Sequence, residues 1–403
     1  MGLDESKRPS PASALGVYVS VPFCRAKCSF CNFASGVSSP SIIEAYVTKL
    51  CHEIATARVI ADRLQADLPH TVDTVYFGGG TPSLLEPEQL GRIFAALRQT
   101  FRITPGTEIT LEAAPGQITD TVLAEAQCQG VNRISLGVQS FVDRESAAVG
   151  RTHTERECIQ EILRLQAAGI ANVGADLIAG LPYQTTATWQ HSLDVATSIG
   201  LNHLSIYMLE IDEDSRLGRE VMAGGQRFHA HGVPADEASA EFYETACACL
   251  PQHGFPQYEI SNFATPFHQS RHNRKYWQRD PYIGFGLDAH SMLLRPDGAV
   301  RFANPEELAY YGAEEIPSAP VDVFKREAFE ETIFLGLRMN EGLCVSRLRE
   351  QFPRELFVPT EEAARELIRE GLMIEQDDHW QLTLRGRLLS NDVFTNLLMG
   401  VAI

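Results

Sequence analysis

Residues 17–31 read VYVSVPFCRAKCSFC, a run of alternating β-branched residues that passes through Pro22 into three cysteines, Cys24, Cys28 and Cys31. Residues of that type favour a strand, so the cysteines fall on the loop at its carboxyl end. Three thiolates within eight residues can wrap one metal centre, and soft thiolates select zinc or an iron–sulfur cluster. Structural zinc takes four ligands. No fourth cysteine stands nearby, and Phe33 lies two positions past Cys31. On a cubane cluster, three cysteines leave one iron open. The plain alternative is a chance grouping of buried cysteines. The other six, Cys51, Cys128, Cys158, Cys247, Cys249 and Cys344, are scattered and read as small buried side chains.

Outward from that loop, strands and helices alternate. Strands are expected at 17–21, 72–77, 108–111, 133–138, 173–178 and 203–209, and helices at 42–64, 87–97, 121–128 and 188–199. A further helix opens on a capping box, Thr154 with Glu157, whose side chains satisfy free backbone N–H groups. Each helix is long enough to cross over between parallel strands. The stretches ISLGV and ADLIAG read as apolar on both faces, as in a sheet covered by helices. A doubly wound open sheet and an incomplete barrel both fit. Both place chemistry at the carboxyl ends of the strands. After residue 212 the pattern changes. A helix is expected at 236–250, and strands at 257–263 and 282–294 with an aromatic-rich segment between them. A helix at 361–370 followed by short strands at 371–374 and 380–383 reads as a winged-helix-like tail.

Composition narrows the function classes. The chain has 403 residues, 44% hydrophobic and 21% charged, which is ordinary for a globular protein. Its net charge of −18 lacks the basic footprint of a duplex-binding protein, so no nucleic-acid partner is expected. There is no apolar run of about 18 residues to span a membrane. Residues 1–11 are polar and rich in Pro and Ser, without the apolar core of a signal peptide. The expected location is cytoplasmic, where a disulfide framework is not expected.

Polar residues mark the ends of the expected strands. Gly78-Gly79-Gly80-Thr81-Pro82 follows the second, and glycines let a ligand approach bare backbone. Glu112 ends the third, Gln139 ends the fourth, Arg151 follows, and Asp176 lies inside the fifth. A charge in an apolar strand is costly unless paired. An Arg151–Asp176 ion pair is one reading. The other is a cradle for a zwitterionic nucleoside, with a carboxylate on ribose hydroxyls and Arg151 forked onto a carboxylate.

The C-x3-C-x2-C spacing resembles the radical SAM superfamily. From Tyr18 to the tail the chain is similar to its oxygen-independent coproporphyrinogen III oxidase group. The likeness rests on Tyr18-x-x-x-Pro22-Phe23-Cys24, the GGGTP turn, Asn132-Arg133-Ile134-Ser135-Leu136-Gly137-Val138-Gln139-Ser140 and Asp176-Leu177-Ile178-x-Gly180-Leu181-Pro182. The resemblance implies an α/β fold: a partial (β/α)6 barrel core with a C-terminal α+β extension ending in a winged-helix-like domain. The expected division is a flexible N-terminus at 1–14, the barrel at 15–212, the extension at 213–320 and the terminal domain at 321–403. The same resemblance implies a 4Fe-4S cluster on Cys24, Cys28 and Cys31. It implies S-adenosylmethionine against Tyr18, Phe30, Gly79, Gly80, Thr81, Glu112, Gln139, Arg151 and Asp176. No catalytic residue is assigned.

Two subgroups share this core. The oxidases carry a fourth cysteine where Phe33 stands here. Phe33, together with Arg271-His272-Asn273-Arg274-Lys275-Tyr276-Trp277, resembles the heme chaperones of the HemW type and their HNxxYW segment. That implies heme as a further ligand. His272 can offer a neutral imidazole to its iron, and Tyr276 and Trp277 flat apolar surface. Arg271, Arg274 and Lys275 are placed to meet propionates. The implied partners are heme-accepting enzymes and a reductant protein, with any membrane contact peripheral and made through the acceptor. Coproporphyrinogen oxidase activity is not expected. The alternative is a radical SAM enzyme acting on a tetrapyrrole, such as the oxidative decarboxylation of coproporphyrinogen III. Two positions depart from the family: Ser20 replaces the usual His and Ala114 a common Asn.

Overall fold

The computed structural model describes residues 14–311 and 318–399. Apart from Ala14, the N-terminal segment expected to be flexible lies outside the described residues. The first half runs β1 (Leu15–Val21), α1 (Pro40–Arg63), β2 (Thr71–Gly79), α2 (Pro87–Thr100), β3 (Arg102–Ala113), α3 (Asp120–Cys128), β4 (Arg133–Gln139), α4 (Asp143–Ala148), α5 (Glu155–Ala167), β5 (Asn172–Ala179), α6 (Thr186–Ser198) and β6 (His203–Met208). These six strands lie side by side in chain order, each parallel to the next. Helix starts follow local chemistry. Ser39 caps α1 ahead of Pro40, and both arms of the Thr154–Glu157 box form at α5.

Strand parity decides what the sheet encloses, because successive side chains point to opposite faces. Val17, Val19, Phe77, Leu111, Leu136, Leu177 and Leu204 are buried in one core with the helices. The residues between them turn inward and meet across the sheet. Tyr18 and Tyr76 stack with ring centroids 6.1 Å apart. The Tyr76 hydroxyl donates to Glu112 at 2.7 Å, and Ser135 donates to Asp176 at 3.2 Å. Tyr207 on β6 feels the charge of Glu112 on β3. The sheet therefore curves into a partial barrel with a polar lumen. The reading of strands apolar on both faces is corrected here: helices cover the outer face only, and the inner face carries the polar set.

The chain then extends both edges. α7 (Arg216–Met222) and α8 (Asp236–Gln252) lead to β7 (Asn262–Ala264), antiparallel on β6. α9 (Arg271–Gln278) follows, and β8 (Tyr282–Phe285) returns parallel to β1. β9 (His290–Arg295), β10 (Gly298–Ala303) and β11 (Ser318–Val323) add to that edge. Two expected strands are shorter than the pattern suggested. Of 257–263, Gln257 makes only an isolated bridge to Phe263. The run 282–294 breaks into β8 and β9 at Gly286, whose φ is +95°. The aromatic-rich segment between the two expected strands is α9, which leads from β7 at one sheet edge to β8 beside β1.

The tail comprises α10 (Lys325–Gly336), β12 (Leu343–Cys344), α11 (Val345–Gln351), α12 (Arg354–Arg369), β13 (Met373–Gln376), β14 (His379–Leu382), α13 (Leu384–Leu388) and α14 (Ser390–Met399). Its small sheet is ordered β12-β14-β13. It has its own core of Phe329, Ile333, Phe357, Leu367, Trp380 and Val393. No helix among the described residues is long and apolar enough to cross a membrane.

Trp380 is 1% exposed and stacks on Phe357 at 5.7 Å. Trp380→Ala is expected to destabilise the tail by about 3–5 kcal/mol through the cavity it leaves. Native-state hydrogen exchange should show lost protection in α12 and α14 with β1–β6 unchanged. Equal loss in barrel and tail would show that the two cores do not melt separately.

Candidate functional site

Backbone hydrogen bonds pin the cysteine loop at the barrel mouth. Cys24 N–H donates to Gly36 O at 2.9 Å and Gly36 N–H to Pro22 O at 3.0 Å, closing its base. Ser29 N–H donates to Val149 O at 3.1 Å, and Leu217 N–H to Ser29 O at 2.8 Å. The glycine turn clamps the other side, with Gly80 N–H on Val21 O and Thr81 N–H on Phe23 O. A Cβ on Gly80 would stand 2.7 Å from both of those carbonyl oxygens, so only glycine lets the turn approach. The Thr81 hydroxyl donates to the Cys24 sulfur at 3.8 Å.

Burial pushes the Cys28 thiol up; Arg151 opposes this, and the charges of Cys31 and Cys24 add to it. The three sulfurs thus share one electrostatic neighbourhood. Among the described residues, no three His, Cys, Asp or Glu side chains stand close enough to share a single metal ion. Thiolates on one zinc lie about 3.8 Å apart, from Zn–S bonds of about 2.3 Å. A cubane cluster takes each thiolate on a separate iron, so three cysteines on one loop would leave its fourth iron open.

The other expected residues line the mouth and lumen. Glu112 accepts from Tyr76 and from the Gly79 amide, yet burial pushes its carboxyl up to about 7. Asp176 is raised by burial too, against hydrogen bonds from Ser205 and Ser135. It takes those serines in place of an ion pair with Arg151. Tyr18 bonds the Ser20 hydroxyl and is raised by its burial. Gln139 is buried with a φ of +70°, a left-handed conformation costing a non-glycine residue about 1–2 kcal/mol. Its amide and the Arg151 guanidinium lie over Gly137, where a Cβ would stand 2.8 Å from Arg151. Arg151 Nε is buried without a hydrogen-bond partner among the described residues. That orphan donor is costly, and a ligand carboxylate would satisfy it. Phe30 packs at the rim on the cluster of Val149, Ile178, Leu181 and Leu217. The donor set and the bare-backbone turn fit S-adenosylmethionine.

The α9 segment does not join this mouth. Glu108 receives the Arg271 and His272 amides at 3.2 and 3.0 Å, which seats α9 near the amino ends of β2, β3 and β4. His272 is 1% exposed. Its Nδ1 bonds the Thr74 hydroxyl at 2.9 Å and its Nε2 the Tyr276 hydroxyl at 2.7 Å. Burial holds it neutral, its pKa lowered to about 3. Its ring lies 5.2 Å from that of Tyr76, the partner of Glu112. Tyr276 packs edge-on against Tyr282 at 4.6 Å. Trp277 lies under Arg338 at 4.4 Å and faces the tail. Lys275 pairs with Asp73, Arg271 with Asp73 and Arg274 with Glu341. His272, expected to offer heme iron a neutral imidazole, is neutral here and has both ring nitrogens hydrogen-bonded. The three basic residues are likewise already paired with acids.

Sequence reasoning missed Tyr76, Ser135, Ser205 and Tyr207. Their signal was parity, since each faces the same way as Tyr18, Glu112 or Asp176 once neighbouring strands are aligned.

A parallel barrel with a three-cysteine loop and a glycine turn at its mouth defines a radical SAM protein. The chain matches the Radical SAM superfamily over residues 18–196 and the HemN C-terminal domain over 324–389. The heme chaperone HemW of Lactococcus lactis is 31% identical over 95% of this chain and 97% of its own. That of Synechocystis is 37% identical over 82% and 79%. The chain belongs to this HemW family. The structure of coproporphyrinogen III oxidase (HemN) from Escherichia coli shares the fold, with TM-score 0.79 and 24% identity over 95% of this chain and 90% of that one.

Glu112 gives the site a pH signature. Its folded pKa of about 7 lies above the unfolded value near 4.3. The protein is thus favoured fully below the unfolded value and loses stability as pH rises toward 7, by up to about 3 kcal/mol. Glu112→Gln removes this dependence and keeps an acceptor for Tyr76. Urea unfolding of ligand-free protein should show the variant gaining on wild type between pH 5 and pH 8. A constant difference across that range would refute the raised carboxyl.

Proposed function

We propose that this protein is a heme chaperone that binds heme and delivers it to acceptor proteins. Its barrel holds a 4Fe-4S cluster on Cys24, Cys28 and Cys31 with S-adenosylmethionine beside it. The observation that carries the reading is the 31–37% identity to HemW heme chaperones across most of the chain. The cluster, when bound, supplies electrons for reductive cleavage of S-adenosylmethionine. The chain's own residues do the positioning. Arg151 Nε, with no partner among the described residues, takes the ligand carboxylate. Gly79 and Gly80 let backbone approach its amino group. Glu112 and Asp176 face ribose hydroxyls, Gln139 and Thr81 add polar contacts, and Phe30 and Tyr18 supply ring surface. α9 closes the lumen from below and keeps water from entering by that end. The working partners are heme-accepting enzymes and a reductant protein, in the cytoplasm, with any membrane contact made through the acceptor.

The alternative, oxidative decarboxylation of coproporphyrinogen III, is disfavoured by position 33. Phe33 is 64% exposed where the oxidases resembled here carry cysteine. Anaerobically reconstituted protein is expected to hold about four irons, and none after combined Cys24→Ala, Cys28→Ala and Cys31→Ala. It should bind hemin stoichiometrically and leave coproporphyrinogen III unconverted. Turnover to protoporphyrinogen IX would transfer the assignment to the oxidase.

A further inference from the structure

In contrast to the buried His272, the described surface carries an exposed histidine pair beside the barrel mouth. His229 and His231 are both exposed. Tyr183 joins them, its hydroxyl bonding His229 Nδ1 at 2.9 Å and His231 Nε2 at 3.2 Å. The chain is forced into this shape. Phe228 and His229 are both left-handed, with φ of +54° and +59°, a conformation side chains rarely adopt. Tyr183 is left-handed too, at +70°. A Cβ at Gly232 would stand 2.7 Å from the Tyr183 ring, so the backbone must pass close beneath it.

We propose that His229 Nε2 is the axial ligand of heme iron at this surface, oriented by Tyr183. The proposal deepens the chaperone reading and rests on it. A phenol has one proton to give. When His229 Nδ1–H donates to the Tyr183 oxygen, the Tyr183 hydroxyl donates to His231 Nε2. His229 Nε2 is then left with a bare lone pair facing solvent, and it has no hydrogen-bond partner among the described residues. A histidine fixed through its other nitrogen is the usual arrangement of a metal ligand. The imidazole donates its lone pair to iron; no electron is transferred and no proton is lost.

The surroundings suit a porphyrin with two propionates. Phe228 supplies a ring beside the ligand. Arg144 lies over the Tyr183 ring at 4.0 Å and Arg227 near the Phe228 ring at 5.4 Å. Neither guanidinium has an acidic partner among the described residues, in a chain of net charge −18. The patch is also tied to the cluster loop. Phe228 and Phe30 pack on the same apolar cluster. The α7 residue Leu217 bonds Ser29, between Cys28 and Cys31. Heme seated here lies against the outer wall of the cofactor mouth.

The test is optical titration of hemin into the anaerobically reconstituted full chain, read as difference spectra, with iron content and circular dichroism as folding controls. Wild type should show the Soret shift of histidine ligation. His229→Ala should lose that shift and bind more weakly. Tyr183→Phe should keep the shift with affinity reduced about tenfold, as for other outer partners of ligating histidines. Combined Arg144→Ala and Arg227→Ala should weaken binding with the Soret position unchanged. A wild-type spectrum and affinity in His229→Ala would overturn this site while leaving the chaperone reading standing. Failure of wild type to bind hemin would overturn both.

Discussion

The structure depends on how a polar lumen is closed at one end. Glu112, Asp176, Tyr18 and Tyr76 line the barrel interior, and Thr74, Glu108 and Arg133 lie toward its amino end. Each carries groups that cannot be buried without partners. A helix laid across the amino end supplies them. Its N-terminal amides meet Glu108, and its neutral histidine bridges the Thr74 and Tyr276 hydroxyls. A charged His272 there would be opposed by burial and by Lys275, which together hold its pKa low. The HNRKYW segment is thus a plug that meets lumen, sheet edge and tail.

The opposite end is built to remain receptive. The cysteine loop, the glycine turn and α7 are laced by main-chain hydrogen bonds, so the positions of the thiols do not depend on flexible side chains. The polar groups above them are under-satisfied. Arg151 Nε lacks a partner among the described residues, Gln139 sits in a strained backbone conformation, and Glu112 holds its proton to about pH 7. Strain and unmet hydrogen bonding gathered at one mouth are what a preformed ligand site shows before its ligand arrives. At the other end α9 couples barrel to tail, since Arg338 stacks on Trp277 and Glu341 pairs with Arg274.

Much of this was legible in the chain. The cysteine spacing, the GGGTP turn and the α5 capping box are local patterns, because ligands to one cluster, a tight turn and a helix cap each involve residues close in sequence. The alternation of strands and helices gave the element order for the same reason. Two readings failed where local pattern carries no information. ISLGV and ADLIAG read as two-sided strands because small residues such as Gly137 and Ala175 do not declare a face. The expected strands at 257–263 and 282–294 were cut short by turns that local pattern did not mark.

What the sequence alone determined is the set of groups that chemistry can use: three thiolates, a bare-backbone turn, two carboxylates and a guanidinium at strand ends. Tertiary structure decided which of them are free. His272 looked available until the curled sheet brought Thr74, 198 positions away, against its ring. An Arg151–Asp176 ion pair stayed one of two open readings until adjacent strands gave Asp176 its serines. His229 and His231 carried no signal until Tyr183, 46 and 48 positions earlier, was folded between them. A side chain's chemistry is written in its residue type, but its hydrogen-bond partners are set by which distant strands the register places beside it.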